Sequence, residues 1–293
     1  MSLLAALAAA MAMAGAAPPE LMTWADLMSR PKPAPSERVR YGPGLRQFAD
    51  LWLPAGKGPF PVVLMVHGGC WQSKIADLGI MDWIAGDLAA RGIAVWNIEY
   101  RGGDEAGGGY PGTFRDVAAG ADALRAVAPG RLNIDHIVAF GHSAGGHLAL
   151  WLAARPRLPR ASPLFSPDPL PIAAVVSAGG LPDLEADRAA KDTACGPGAV
   201  DSLVGAPGAR PDVYADTSPA RLLPLGVRQA IVNSQLDPIA PPWLGQDWAG
   251  KVRAAGDPVE VRVIPRSGHA ELIAPGTAAW AAEVKIIEAL LSR

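Results

Sequence analysis

Cysteine is nearly absent from this 293-residue chain: Cys70 and Cys195 are its two thiols, too few and too far apart for a metal-binding cluster. Histidine is scarce as well, and His67, His136, His142, His147 and His269 are scattered without ligand spacing, so no metal site is expected. The glycine-rich stretch 102–112 lacks both the P-loop lysine and the dinucleotide-binding context, which sets aside a phosphate cradle; no cofactor is expected. Charge of one sign is missing too. With 26 Lys and Arg against 28 Asp and Glu, the chain has no field to attract a polyanion, and nucleic acid is excluded as a partner.

Residues 1–17 form an apolar run too short to span a bilayer, with Ala14-Gly15-Ala16 as a cleavage-type site and Pro18-Pro19 following. This reads as an export signal, although no Lys or Arg precedes the apolar stretch. The expected mature chain, 18–293, is then periplasmic or secreted, or cytoplasmic if the segment is not a signal. No cysteine precedes Cys70, which argues against a lipid-anchored route and hence against a stable membrane anchor.

What is present is enough apolar sequence, half of all residues, for one large α/β domain. Residues 38–41 and 47–53 read as an initial hairpin. Runs at 61–66, 93–100, 136–141, 172–177, 229–234 and 259–264 read as parallel strands. Helical patterns at 76–91, 113–128, 144–154, 241–255 and 276–291 alternate with them, as in a doubly wound sheet. The segment 181–225, rich in Gly, Pro, Asp and Ala, breaks the rhythm and is expected to be a small lid insertion.

Two motifs carry chemistry. Gly-His-Ser-Ala-Gly-Gly, 141–146, lies between an apolar strand and a helix-forming stretch, the order of a nucleophile elbow; its corner forces Ser143 into strained backbone at a helix N-terminus. The alternative is a glycine-rich turn that happens to contain serine. The second motif, His67-Gly68-Gly69-Cys70-Trp71, follows the buried strand 62–66, and its glycines let backbone N–H groups turn toward a substrate oxygen.

With these motifs the chain resembles the α/β-hydrolases, specifically the esterase groups that include feruloyl-esterase-like proteins and kynurenine formamidases. The resemblance implies an α/β-hydrolase fold with a mostly parallel eight-stranded sheet and helices on both faces. It also implies a triad in the order Ser, acid, His, with oxyanion donors at the backbone N–H groups of Gly69, Cys70 and Ala144. Among the histidines, His269 alone lies far beyond Ser143, in a loop after the last strand. The acid is expected at Asp237, in the turn leaving strand 229–234, with Asp247 as runner-up on a helix. His67 is read as holding its loop, and His142 and His147 as packing residues. Trp71, Tyr110 and Trp243 are the expected substrate contacts, with Tyr214 also shaping the pocket. In an oxidising compartment Cys70 and Cys195 could pair, tying the lid to the donor loop; the alternative is two unrelated small residues. The expected reaction is acyl transfer from a small-molecule ester or amide to water. An arylformamidase, a small peptidase and a non-catalytic binding protein on the same scaffold remain as alternatives.

Overall fold

The computed structural model describes residues 20–191 and 195–292; the expected signal segment lies outside them. Eight strands form one sheet in the order β1-β2-β4-β3-β5-β6-β7-β8. The strands are β1 (Glu37–Arg40), β2 (Phe48–Trp52), β3 (Phe60–Val66), β4 (Ala94–Ile98), β5 (Leu132–His142), β6 (Ala174–Ala178), β7 (Arg228–Ser234) and β8 (Val259–Ile264). β1 pairs antiparallel with β2, and β2 with β4; every other pairing is parallel.

A parallel sheet needs cover on both faces, and β3 shows why this one is covered. Val62, Leu64 and Val66 point into one buried cluster, Val63 and Met65 into the other. The first cluster is closed by α3 (Gly109–Val127), α4 (Ala144–Ala154) and α7 (Pro242–Ala254) through Phe114, Val117, Leu148, Trp151, Leu244 and Trp248. The second is closed by α2 (Asp82–Ala90) and α8 (Ala278–Leu291) through Trp83, Ile84, Leu88, Trp280, Val284 and Ile287. The strand at 136–141 is longer than its apolar run, because β5 begins at Leu132 with alternating burial and shifts register against β3 between Pro61 and Val63. The helix expected from residue 76 begins as a 3-10 turn, Leu78–Met81, capped by Asp77 accepting the Gly79 N–H at 2.9 Å.

Three helices lie outside the helical patterns of the sequence: α1 (Trp24–Met28), α5 (Leu184–Ala189) and α6 (Gly196–Val204). The last two lie in the expected lid, yet Leu184, Val200, Leu203 and Val204 are core residues, so this segment is packed onto the domain. No helix among the described residues is long and apolar enough to cross a membrane.

Glu283 of α8 is fully buried, neither carboxylate oxygen has a partner, and burial pushes its carboxyl well above the ordinary value. Folding must therefore keep this group protonated, so its cost is absent below about pH 4.3, the unfolded carboxyl's range, and grows as pH rises. Glu283→Leu should raise stability by about 1 to 3 kcal/mol at pH 8, with the difference from wild type shrinking at pH 4. Urea unfolding at both pH values checks this; a destabilised variant at pH 8 contradicts it.

Candidate active site

Ser143 sits between β5 and α4 with φ 54° and ψ −126°, outside the regions an L-residue prefers, as an elbow requires. The glycines around it answer to close approach. A Cβ on Gly145 would lie 2.1 Å from the Val66 carbonyl oxygen, and one on Gly68 would lie 2.9 Å from Ser143 Cβ, so β3, its loop and the elbow share space that side chains cannot enter. The Ser143 N–H donates to the Ala178 carbonyl at 2.8 Å, which ties the corner to the end of β6.

His269, in the loop after β8, donates from Nδ1 to Asp237 Oδ2 at 2.5 Å. Asp237 follows β7, its side chain has no exposed surface, and its Oδ1 accepts the N–H groups of Ile239 and Ala240 at 2.8 and 2.9 Å. Both oxygens of this carboxylate are thus engaged, and the imidazole's orientation is fixed by the turn that holds it. Asp247, by contrast, is exposed on α7.

The loop after β3 runs through three residues of positive φ: Gly69 at 107°, Cys70 at 50° and Trp71 at 55°. No hydrogen bond among the described residues occupies the N–H of Gly69 or Cys70. A disulfide joins Cys70 to Cys195, with Cα atoms 5.4 Å apart, so the segment leading into α6 is fastened to this loop.

A cavity of 380 Å³ connects these parts. Gly69, Cys70, His142, Ser143 and His269 line it, and its remaining walls include Trp24, Met28, Ile75, Ile80 and Ile239. Among the described residues Asp77 is the single acid on these walls, and no Lys or Arg lines them. Among the described residues no cluster of His, Cys, Asp or Glu has the arrangement of a metal site.

None of the expected substrate contacts Trp71, Tyr110 and Trp243 lines this cavity. Trp71 is fully buried, and its indole N–H is shared between the Ala144 carbonyl at 3.1 Å and His147 Nδ1 at 3.2 Å. Its positive φ turns the side chain inward, so it anchors the loop to α4 and is out of a substrate's reach. Tyr110 donates to Asp216 Oδ2 at 2.9 Å beneath the Arg210 guanidinium, 3.4 Å from its ring centre. Neither Tyr110 nor the buried Tyr214 lines the cavity, and Trp243 at the start of α7 does not line it either. No described residue of 181–225 does.

The missed wall is α1. Thr23 and Asp26 form its capping box, a Thr-x-x-Asp pattern readable in the sequence. Glu271 holds the segment against the His269 loop, accepting the Met22 N–H at 2.8 Å on Oε1 and the Gly268 N–H at 3.2 Å on Oε2. Trp24 then stands edge-on to both His142 and His269, with ring centres 6.1 Å away in each case.

Burial pushes His147 down to about 4, so it is neutral, with Nε2–H donating to the Thr217 carbonyl at 2.8 Å. Burial and the neighbouring His269 likewise hold His142 well below its ordinary value. Neutral His142 donates from Nε2 to the His269 carbonyl at 3.2 Å, propping the loop that presents the imidazole.

Solved structures share this architecture. A truncated carbohydrate esterase from gut microbiota superposes with a TM-score of 0.75 at 21% identity, covering 90% of this chain and 100% of its own. Esterase B from Lactobacillus rhamnosis gives 0.73 at 18% identity over 89% of each chain. A bacterial heroin esterase gives 0.66 at 24% identity, over 87% of this chain and 83% of its own. No curated protein sequence matches the chain. The sequence model that does match covers residues 49–243, from β2 through the elbow and the Asp237 turn to the start of α7, and by that match the chain belongs to the BD-FAE family.

Proposed function

We propose that the protein is a serine hydrolase that cleaves carboxylic esters. His269 takes the Ser143 proton, the alkoxide attacks the ester carbonyl, and the N–H groups of Gly69, Cys70 and Ala144 receive the oxyanion. Collapse expels the alcohol, which takes the proton back from His269; a water activated by the same imidazole then releases the acid from the acyl-enzyme. The observation that carries this reading is the Asp237–His269 hydrogen bond, buried and rigid, beside a serine in strained elbow backbone on the wall of the same cavity.

The cavity walls favour an uncharged ester. Apolar side chains form most of them, and no Lys or Arg among the described residues lines them to receive the carboxylate of an amino-acid formamide. The names of the structural neighbours agree with an ester: carbohydrate esterase, esterase B and heroin esterase.

Turnover of p-nitrophenyl butyrate, with loss of activity after stoichiometric labelling of Ser143 by an organophosphonate, is the test. Faster turnover of N-formylkynurenine than of any neutral ester would shift the reading to an arylformamidase, and no turnover of either would favour a binding protein. Trp24→Ala should raise KM for the butyrate by about 10-fold and change kcat little, because a wall that contacts the bound group equally in ground and transition states contributes uniform binding. Steady-state kinetics decide it; an unchanged KM removes Trp24 from the substrate chamber.

A further inference from the structure

His67 closes β3 and opens the loop that carries Gly69 and Cys70. Its ring is buried and stacked on Tyr100, with centroids 4.3 Å apart. Nδ1 lies 2.7 Å from the Gly68 carbonyl oxygen, and Nε2 lies 3.2 Å from Glu99 Oε1. A carbonyl can only accept. Glu99 is buried and surrounded by donors: Oε1 takes the Tyr100 N–H at 2.9 Å and faces Arg46 Nη1 at 3.6 Å, while Oε2 takes the Leu78 N–H at 3.0 Å. The Leu78 and Tyr100 amides and the Arg46 guanidinium set three donors around its two oxygens, an environment that favours the ionised carboxylate. An ionised Glu99 has no proton to offer Nε2. The ring form that satisfies both contacts therefore carries a proton on each nitrogen.

The Gly68 carbonyl and the Gly69 N–H belong to one peptide unit. A cation bonded to the oxygen of a peptide draws electron density from its nitrogen and makes the N–H a stronger donor, the cooperative strengthening of chained hydrogen bonds. We infer that His67 and Glu99 form a buried imidazolium–carboxylate pair that polarises the Gly68–Gly69 peptide and strengthens the Gly69 N–H for the developing oxyanion. The catalytic half of this inference rests on the reading of Gly69 as an oxyanion donor; the charge of His67 does not. Neither residue lines the cavity, so both are positioning residues.

The surrounding charges keep the pair in register. Arg46, beside Glu99, is itself held by Glu105 at 2.9 Å, and the Tyr100 hydroxyl donates to the His67 carbonyl at 2.9 Å. Tyr41 donates to the Glu99 backbone carbonyl at 2.6 Å, which fixes the end of β4 from the side of β1.

Nitrogen NMR of the protein labelled in its histidine rings, with His67 assigned by its loss in His67→Gln, reads the ring form directly. Two protonated ring nitrogens are expected at neutral pH, and a neutral tautomer overturns the inference. The wild-type spectrum decides this point even if Glu99→Gln does not fold.

Kinetics test the second half. Glu99→Gln and His67→Gln should each lower kcat for p-nitrophenyl butyrate by about 3- to 10-fold with KM nearly constant. Each should weaken a trifluoromethyl ketone, whose hydrate-like adduct places an oxyanion at the donors, by the same factor. A purely structural role would instead lower the folded fraction without this matched split. Unchanged kcat and inhibitor affinity in folded Glu99→Gln overturn the inference alone, whereas a wild type inactive on every ester overturns the functional reading together with its catalytic half.

Discussion

Ser143→Ala should lower kcat for ester hydrolysis by about 10⁴ to 10⁶ while leaving the protein folded. The elbow is shaped by its neighbours, since the backbone approach at Gly145 and the bond from the Ser143 N–H to Ala178 persist in the variant. Alanine at φ 54° is as strained as serine, so the stability should hardly move. Ser143→Gly provides the contrast. It should lose the same activity but gain roughly 1 kcal/mol of stability, because glycine relaxes where a Cβ cannot. Activity above a tenth of wild type in either folded variant would remove Ser143 as the nucleophile, and a destabilised glycine variant would remove the strain.

What is legible in the amino-acid sequence is what a local signal carries. Parallel strands buried on both faces appear as unbroken apolar runs, and 62–66 and 229–234 fall inside β3 and β7. The expected elbow at Ser143, turn at Asp237 and loop at His269 each follow a strand, and the ends of parallel strands converge on one edge. Helices α5 and α6 were missed for a local reason as well. Their segment has loop composition, yet Asp183 caps α5 by accepting the Glu185 and Ala186 N–H groups, and Pro197 sits in the first turn of α6, where its lost donor costs nothing.

The cavity was not legible in this way, because its walls come from segments distant in the chain. Proximity to a motif pointed to Trp71, but three successive positive φ values rotate it into the core. The wall is supplied instead by Trp24, which reaches the site through Glu271, a partner 249 residues from Met22. Such a contact is a property of packing, and the capping box at Thr23 signals only that a helix starts there.

Asp237→Asn should cost about 10⁴ in kcat with little change in KM, on the scale known for the same exchange in an unrelated serine-hydrolase triad. The structure says how. In the native protein Asp237 Oδ1 receives two backbone N–H groups and Oδ2 receives the proton on His269 Nδ1. Asparagine can keep its oxygen on Ile239 and Ala240, which forces its NH₂ toward Nδ1. That nitrogen must then accept, and the neutral ring places its proton on Nε2, where the proposed base for the Ser143 hydroxyl needs a lone pair. Recovering the working tautomer would mean setting two donors against each other in a site without exposed surface on the acid. Asp247→Asn, on the exposed face of α7, should leave kcat within twofold of wild type. Steady-state kinetics on the two variants separate the possibilities: a silent Asp237→Asn with an inactive Asp247→Asn would place the acid on α7, and two silent variants would mean that Ser143 and His269 work without a carboxylate.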